Sequence, residues 1–171
     1  NKILGNGNNL VREYLDQSFK PSLVNSFIIE PGHHYEWAWL LNWSDKIHQR
    51  KKYGTLTKTL FDTGWRLGWD FNNGGVFDEV DCVNNQVSLS TKRFWPLLEL
   101  IKVLSVLPGN SHGDDLTSAL TIVLERYIQP NGIWTERFDQ NWTAIDRTMP
   151  TSSLYHMAMA ILELKERKLK N

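Results

Sequence analysis

The sequence predicts an all-α fold of helical hairpins whose connecting loops carry short β-ribbons. Three observations lead there. Apolar residues recur at helical spacing over five segments, the alternating stretches between them are too short for a sheet domain, and one ribbon-then-helix pattern returns three times. Repeated helical hairpins cannot bury their inner faces alone and close by stacking around an axis. With 171 residues, 41 % hydrophobic and 22 % charged, the chain is expected to form a single domain over 1–171.

The first helix is expected from Pro31 to about Lys51. Proline suits a first turn, and Tyr35, Trp37, Trp39, Leu40, Trp43 and Ile47 supply the apolar positions. A second helix runs from Leu56 to Gly68 through Leu60, Trp65 and Leu67, and stops before the loop signal DFNNGG at 70–75. The third, FWPLLELIKVLSVL, spans Phe94 to Leu107 and ends at Pro108-Gly109. A fourth covers Asp115 to Ile128, with Asp114 and Asp115 reading as an acidic helix start. The last, Ser152 to Leu169, closes on a basic turn that suits the helix dipole. Between helices, GVFDEVD and GIWTERFD read as two-stranded ribbons.

Internal repetition is the most informative feature. REYLDQSF at 12–19 aligns with TERFDQNW at 135–142, so that Glu13 meets Glu136, Asp16 meets Asp139, Gln17 meets Gln140 and Phe19 meets Trp142. The same offset of 123 carries His33 onto His156. A fainter copy puts Glu79 of GVFDEVD in the same slot. Twenty residues beyond each of these three glutamates stands a titratable group, His33, Glu99 or His156, in the first turns of a helix. The histidines are thus expected to converge on a central cavity.

An imidazole with an ordinary pKa of about 6.5 can act as acid or base near neutrality. The helix dipole at a helix start is expected to hold such a group neutral. His33 and Glu36 share one helix face, continued by Trp37 and Leu40, whereas His34 is turned about 100° away. The register therefore selects His33 from the adjacent pair. Most of the eight Trp, seven Phe and five Tyr are expected in the core, with a few lining a concave site that suits a sugar face.

Other chemistries find little support. His48 and His112 stand in no ligand spacing and no HExxH occurs, so no metal is expected. No phosphate-cradling glycine loop and no GxSxG elbow is present. Nineteen basic residues balance nineteen acidic ones, which argues against nucleic acid. Apolar runs stop well short of the ~20 residues of a membrane span, and no basic-then-apolar signal opens the chain. The single Cys82 fits a reducing compartment, and the chain reads as cytoplasmic. Asn1 in place of an initiator Met fits a processed chain or a piece of a longer one.

The stretches EPGHHYEWAWLL, GGVFDEVD, TKRFWPLLELIKVL and MPTSSLYHMAMAILEL resemble the N-acylglucosamine 2-epimerase family. That resemblance implies helical hairpins of an (α/α)6 toroid, with about three of six hairpins present as the C-terminal half. It places the family's two catalytic histidines on His33 and His156, and its substrate-binding positions on Glu36, Trp95 and Glu99, with Trp37 beside them on the His33 face. It implies a cofactor-free isomerase or epimerase that moves a proton at C2 of an open-chain sugar through an enediolate. The partner would be a small sugar or sugar phosphate of mannose or N-acylhexosamine type, with isomerisation the favoured outcome. Leu97-Leu98 depart from the polar residues that often follow Trp-Pro in the family, and an Arg and a further His of the earlier hairpins have no counterpart here. A homodimer or a missing N-terminal half would complete the vessel. Two other readings stay open: a half-barrel that only binds a sugar or a protein, and a glycosidase-like toroid working through carboxylates such as Asp78, Glu79 or Glu99.

Overall fold

The computed structural model describes residues 10–22, 24–107 and 113–170; Pro108, Gly109 and His112 lie outside them. The chain order is β1 (Ile28–Ile29), α1 (Pro31–Ile47), α2 (Gly54–Gly68), β2 (Glu79–Asp81), β3 (Gln86–Leu89), β4 (Lys92–Arg93), α3 (Phe94–Val106) and α4 (Gly113–Ile122). A π-helical turn (Val123–Tyr127), β5 (Arg137–Phe138), β6 (Ala144–Asp146) and α5 (Thr151–Lys170) follow. Helices α1, α3 and α5 lie side by side, α2 packs on α1, and α4 packs on α3. These are two full helical pairs and the first helix of a third.

Helix α3 explains the layering. Eleven of its thirteen residues are buried, so it is covered on every side and sits between neighbours. Leu97, Leu100, Ile101 and Leu104 pack there with Tyr35, Ala38 and Trp39 of α1, Leu60 and Phe61 of α2, Leu116 and Ala119 of α4, and Ala160 of α5. Two helices differ from the expected bounds for visible reasons. Helix α1 stops at Ile47, because Gln49 takes a left-handed φ of 48°. The fourth helix widens into the π turn and ends as Ile128 becomes extended and bridges Trp134.

The expected two-stranded ribbons are in fact three-stranded sheets. In the first, β1 pairs with β2 (Ile28↔Asp81, Ile29↔Val80) and β2 with β3; in the second, β4 pairs with β5 (Lys92↔Phe138, Arg93↔Arg137) and β5 with β6. The third strand comes each time from the two residues that lead into the preceding unit's helix. Their open backbone edge is satisfied by the next unit's ribbon. This stitching sets the N-termini of α1, α3 and α5 at one end of the molecule.

The repeat is visible in the backbone. Phe19, Asn85 and Trp142 occupy the same register in the three ribbon turns, and each has a left-handed φ, 58°, 55° and 69°. Asp16 Oδ1 accepts the amides of Ser18 and Lys20, and Asp139 Oδ1 accepts those of Asn141 and Thr143 in the same way. In the middle unit Cys82 stands at that position, and Asp81 takes over by accepting the amides of Val83 and Asn84. That substitution is why the middle copy is faint in sequence.

Candidate functional site

The site is built where the three helix starts meet. Gly32, in the first turn of α1, leaves room for Trp95 of α3: a Cβ there would lie 2.6 Å from the Trp95 ring and 2.9 Å from the Pro96 Cβ. The seated indole stands between the two predicted imidazoles, 4.9 Å from the His33 ring and 5.5 Å from that of His156. Gly32→Ala is therefore expected to displace Trp95, to cost about 1–3 kcal/mol of stability in urea unfolding and to lower its tryptophan fluorescence quenching by the neighbouring rings.

Each imidazole has a carboxylate on Nδ1. Glu13 Oε2 lies 2.8 Å from His33 Nδ1, while Glu13 Oε1 accepts the Glu30 amide at 3.1 Å. Burial pulls the His33 pKa down, but the hydrogen bond that His33 donates to Glu13 and the charges of Glu13, Glu30 and Glu36 outweigh it, and the net shift is upward. This upward direction is opposite to the one expected from the helix dipole, and its cause is the three nearby carboxylates. On the other side, Glu99 Oε1 lies 2.5 Å from His156 Nδ1 and 2.6 Å from the Nζ of Lys102. Glu99 and Lys102 are fully buried, and the ammonium sits 3.9 Å over the Trp39 ring. In both cases the carboxylate fixes the proton on Nδ1 and leaves Nε2 as the basic nitrogen. Among the described residues neither Nε2 carries a hydrogen bond.

The repeat register does not dictate the pairing. Glu136, the counterpart of Glu13, accepts Ser153 Oγ at 2.8 Å and Trp134 Nε1 at 3.2 Å, and His156 takes Glu99 from the neighbouring unit instead. Glu36 comes to the His156 side: its carboxylate, that of Glu99 and a His156 ring nitrogen lie within 4.8 Å of one another. Trp37 is 37 % exposed one turn further along α1 and makes no ring contact with His33, Trp95 or His156 among the described residues. Asp78 is buried and engaged by Thr91, the Arg93 amide and the Arg93 guanidinium, which makes it a structural anchor.

Sequence reasoning left out four contributors. Glu13 carried a signal, its twenty-residue spacing from His33. Lys102 carried another, since Glu99 and Lys102 are the charges of an otherwise apolar helix and stand three apart. Arg93 pairs with Glu30 at 2.6 Å and covers the Trp95 ring at 5.4 Å; both stand in the stretches that carry the family resemblance, but neither stands in the repeat spacing.

His34 faces away from the site, as expected, and is fully buried. Its Nε2 accepts the Val11 amide at 3.2 Å, and burial pushes its pKa down to about 4. The unfolded chain takes up this proton near the ordinary 6.5, so acidification favours unfolding. Stability is expected to fall by about 3 kcal/mol between pH 6.5 and about 4, and His34→Gln should flatten that slope in urea titrations.

Among the described residues two groups have the composition of a cation site, Glu13 with Glu30 and His33, and Glu36 with Glu99 and His156. In each, a cationic side chain is already in place: Arg93 on Glu30 and Lys102 on Glu99. Repulsion from these side chains opposes a divalent ion.

The architecture defines one half of an (α/α)6 toroid with paired imidazoles at one end of its helices. The chain belongs to the N-acylglucosamine 2-epimerase family, whose model matches residues 2–160. It is 27 % identical over 170 residues to a mannose-6-phosphate isomerase of Rhizobium meliloti (strain 1021), covering 91 % of this chain and 42 % of that protein. Among solved structures it is similar to a D-mannose isomerase, with a TM-score of 0.84 and 23 % identity over 96 % of this chain and 46 % of that one. It is also similar to the cellobiose 2-epimerase of Bacillus thermoamylovorans B4167, with a TM-score of 0.78 and 12 % identity over 96 % and 46 %. The chain thus spans less than half the length of these relatives. No described helix is long and apolar enough to cross a membrane.

Proposed function

We propose that this chain supplies the proton-transfer wall of a cofactor-free sugar isomerase, with His33 and His156 as the working groups. The observation that carries the reading is the arrangement of two imidazoles on either side of Trp95, each with a carboxylate on Nδ1. One imidazole takes the C2 proton of an open-chain aldose through Nε2. The C–H electron pair moves into the C1–C2 bond and the carbonyl pair onto O1, giving an enediolate. Proton delivery to C1, with transfer of the O2 proton to O1, gives the ketose; delivery to the opposite face of C2, with the carbonyl re-forming at C1, gives the epimer. Trp95 offers an apolar face to the sugar, and Glu36 and Glu99 orient the second imidazole or a hydroxyl.

The substrate class follows from charge and from the relatives' names. Glu13, Glu30, Glu36 and Glu99 border the two imidazoles, and the cations among them, Arg93 and Lys102, are taken by carboxylates. A phosphate would meet net repulsion from this wall, so an unphosphorylated mannose-type sugar fits it better. The higher identity to a mannose isomerase than to a cellobiose epimerase favours isomerisation over epimerisation.

Incubation with mannose, mannose 6-phosphate, fructose and N-acetylglucosamine in heavy water tests this. A ketose carrying deuterium at C1, and mannose exchanged at C2 by the reverse reaction, are expected with mannose. Exchange with none of the four sugars would sink the isomerase reading and leave a binding half-barrel. Chelation with EDTA is expected to leave turnover unchanged, as measured on the same samples.

A second half of the toroid would close on α5, where Leu154, Tyr155, Ile161 and Leu162 are exposed. We take a second copy of the chain, or hairpins preceding it, as that half. Light scattering after size exclusion separates them: a dimer supports the first, a well-behaved monomer the second.

A further inference from the structure

We propose that His34 is a positioning residue for its neighbour: by accepting the Val11 amide, it holds the segment that delivers Glu13 to His33. This rests on the reading of His33 as a working group. Adjacent helical residues point about 100° apart, so two consecutive imidazoles can grip one incoming segment at two places. Here His33 Nδ1 meets Glu13 Oε2 at 2.8 Å, and His34 Nε2 meets the Val11 amide at 3.2 Å. Glu30 completes the clasp. Its amide donates to Glu13 Oε1 at 3.1 Å, and its carbonyl accepts from His34 Nδ1 at 3.4 Å.

The tautomer is set by this arrangement. A backbone amide can only donate, so His34 Nε2 is the bare nitrogen and Nδ1 carries the proton. Both ring nitrogens of a fully buried imidazole are therefore used, one toward each side of the clasp. An apolar residue would fill the same space without desolvating an imidazole, but would orphan the Val11 amide. Arg12, between Val11 and Glu13, donates to the Ser26 carbonyl and lies 3.1 Å from Cys82 Sγ, at the edge of the next unit's ribbon. The segment is thus held from both ends, with Glu13 at the end that faces the site.

Nitrogen-15 NMR of the ring nitrogens in the purified chain tests the idea without turnover. Glu13→Gln defines how His33 titrates without its carboxylate. His34→Leu is expected to move the His33 midpoint down by about one pH unit toward that reference, and His34→Gln, which keeps an acceptor near the Nε2 position, to restore the wild-type value. A folded His34→Leu whose His33 titrates like wild type would overturn the proposal. Hydrogen exchange at the wild-type Val11 amide is an independent test if His34→Leu does not fold. Protection of about a hundredfold or more is expected, and exchange at the free-peptide rate would refute the clasp. An inactive protein would count against the isomerase reading and leave these outcomes intact.

Discussion

Replacing His156 or His33 by Ala is expected to lower mannose turnover about a thousandfold, equivalent to ~4 kcal/mol of transition-state stabilisation. The loss should fall on kcat and not on KM, because in the proposed reaction each imidazole moves a proton while the hydroxyls are held by others. Stability should barely change. When His156 goes, Glu99 keeps Lys102 at 2.6 Å; when His33 goes, Glu13 keeps the Glu30 amide at 3.1 Å. Urea midpoints close to wild type, together with kinetics at saturating sugar, check both halves of this result. Turnover retained in both variants would favour the carboxylate-based alternative.

Lys102→Met is expected to give the opposite signature, a loss of about 3–5 kcal/mol of stability. Glu99 is fully buried within α3, and its Oε2 has no hydrogen-bond partner among the described residues, so it depends chiefly on the Lys102 charge for compensation. Removing both charges in Glu99→Leu/Lys102→Met should recover most of that stability, since well-packed apolar residues do as well as a buried ion pair. Activity should not return with it, because His156 would lose the group that fixes its tautomer. Urea unfolding and turnover of the single and double variants separate the two effects. A single variant as stable as wild type would show that the pair is dispensable for folding.

Much of the candidate site's layout was legible because its groups repeat. His33, Glu99 and His156 announced themselves by standing twenty residues beyond a glutamate, and the structure gathers them at one end of three helices. Helix positions were legible from 3.6-residue periodicity in strongly apolar stretches such as α3. What stayed hidden depends on contacts between units. Strands β1 and β4 have two residues each, too few for any alternation to register. The choice of Glu99 over Glu136 as the His156 partner is made across helices, and no spacing within one unit encodes it. The seat of Trp95 depends on the missing side chain of Gly32, whose meaning appears only when α1 and α3 are side by side. The raised pKa of His33 likewise required the chain to fold back so that Glu13 reaches Glu30, seventeen positions further on, and the helix behind it.

The three-stranded sheets have a consequence for how the molecule opens. Because the lead-ins to α1 and α3 each pair with the next unit's ribbon, unfolding can proceed one junction at a time, like a zip with few teeth. The junction Ile28–Ile29 against Val80–Asp81 lies between His33 and Glu99, and that of Lys92–Arg93 against Arg137–Phe138 lies between Glu99 and His156. Opening either junction would part the two imidazoles while most of the core stays shut. The proposed proton-transfer arrangement would then be lost in local openings too small for calorimetry to register, and the amides of these four short segments would set the lifetime of the assembled pair.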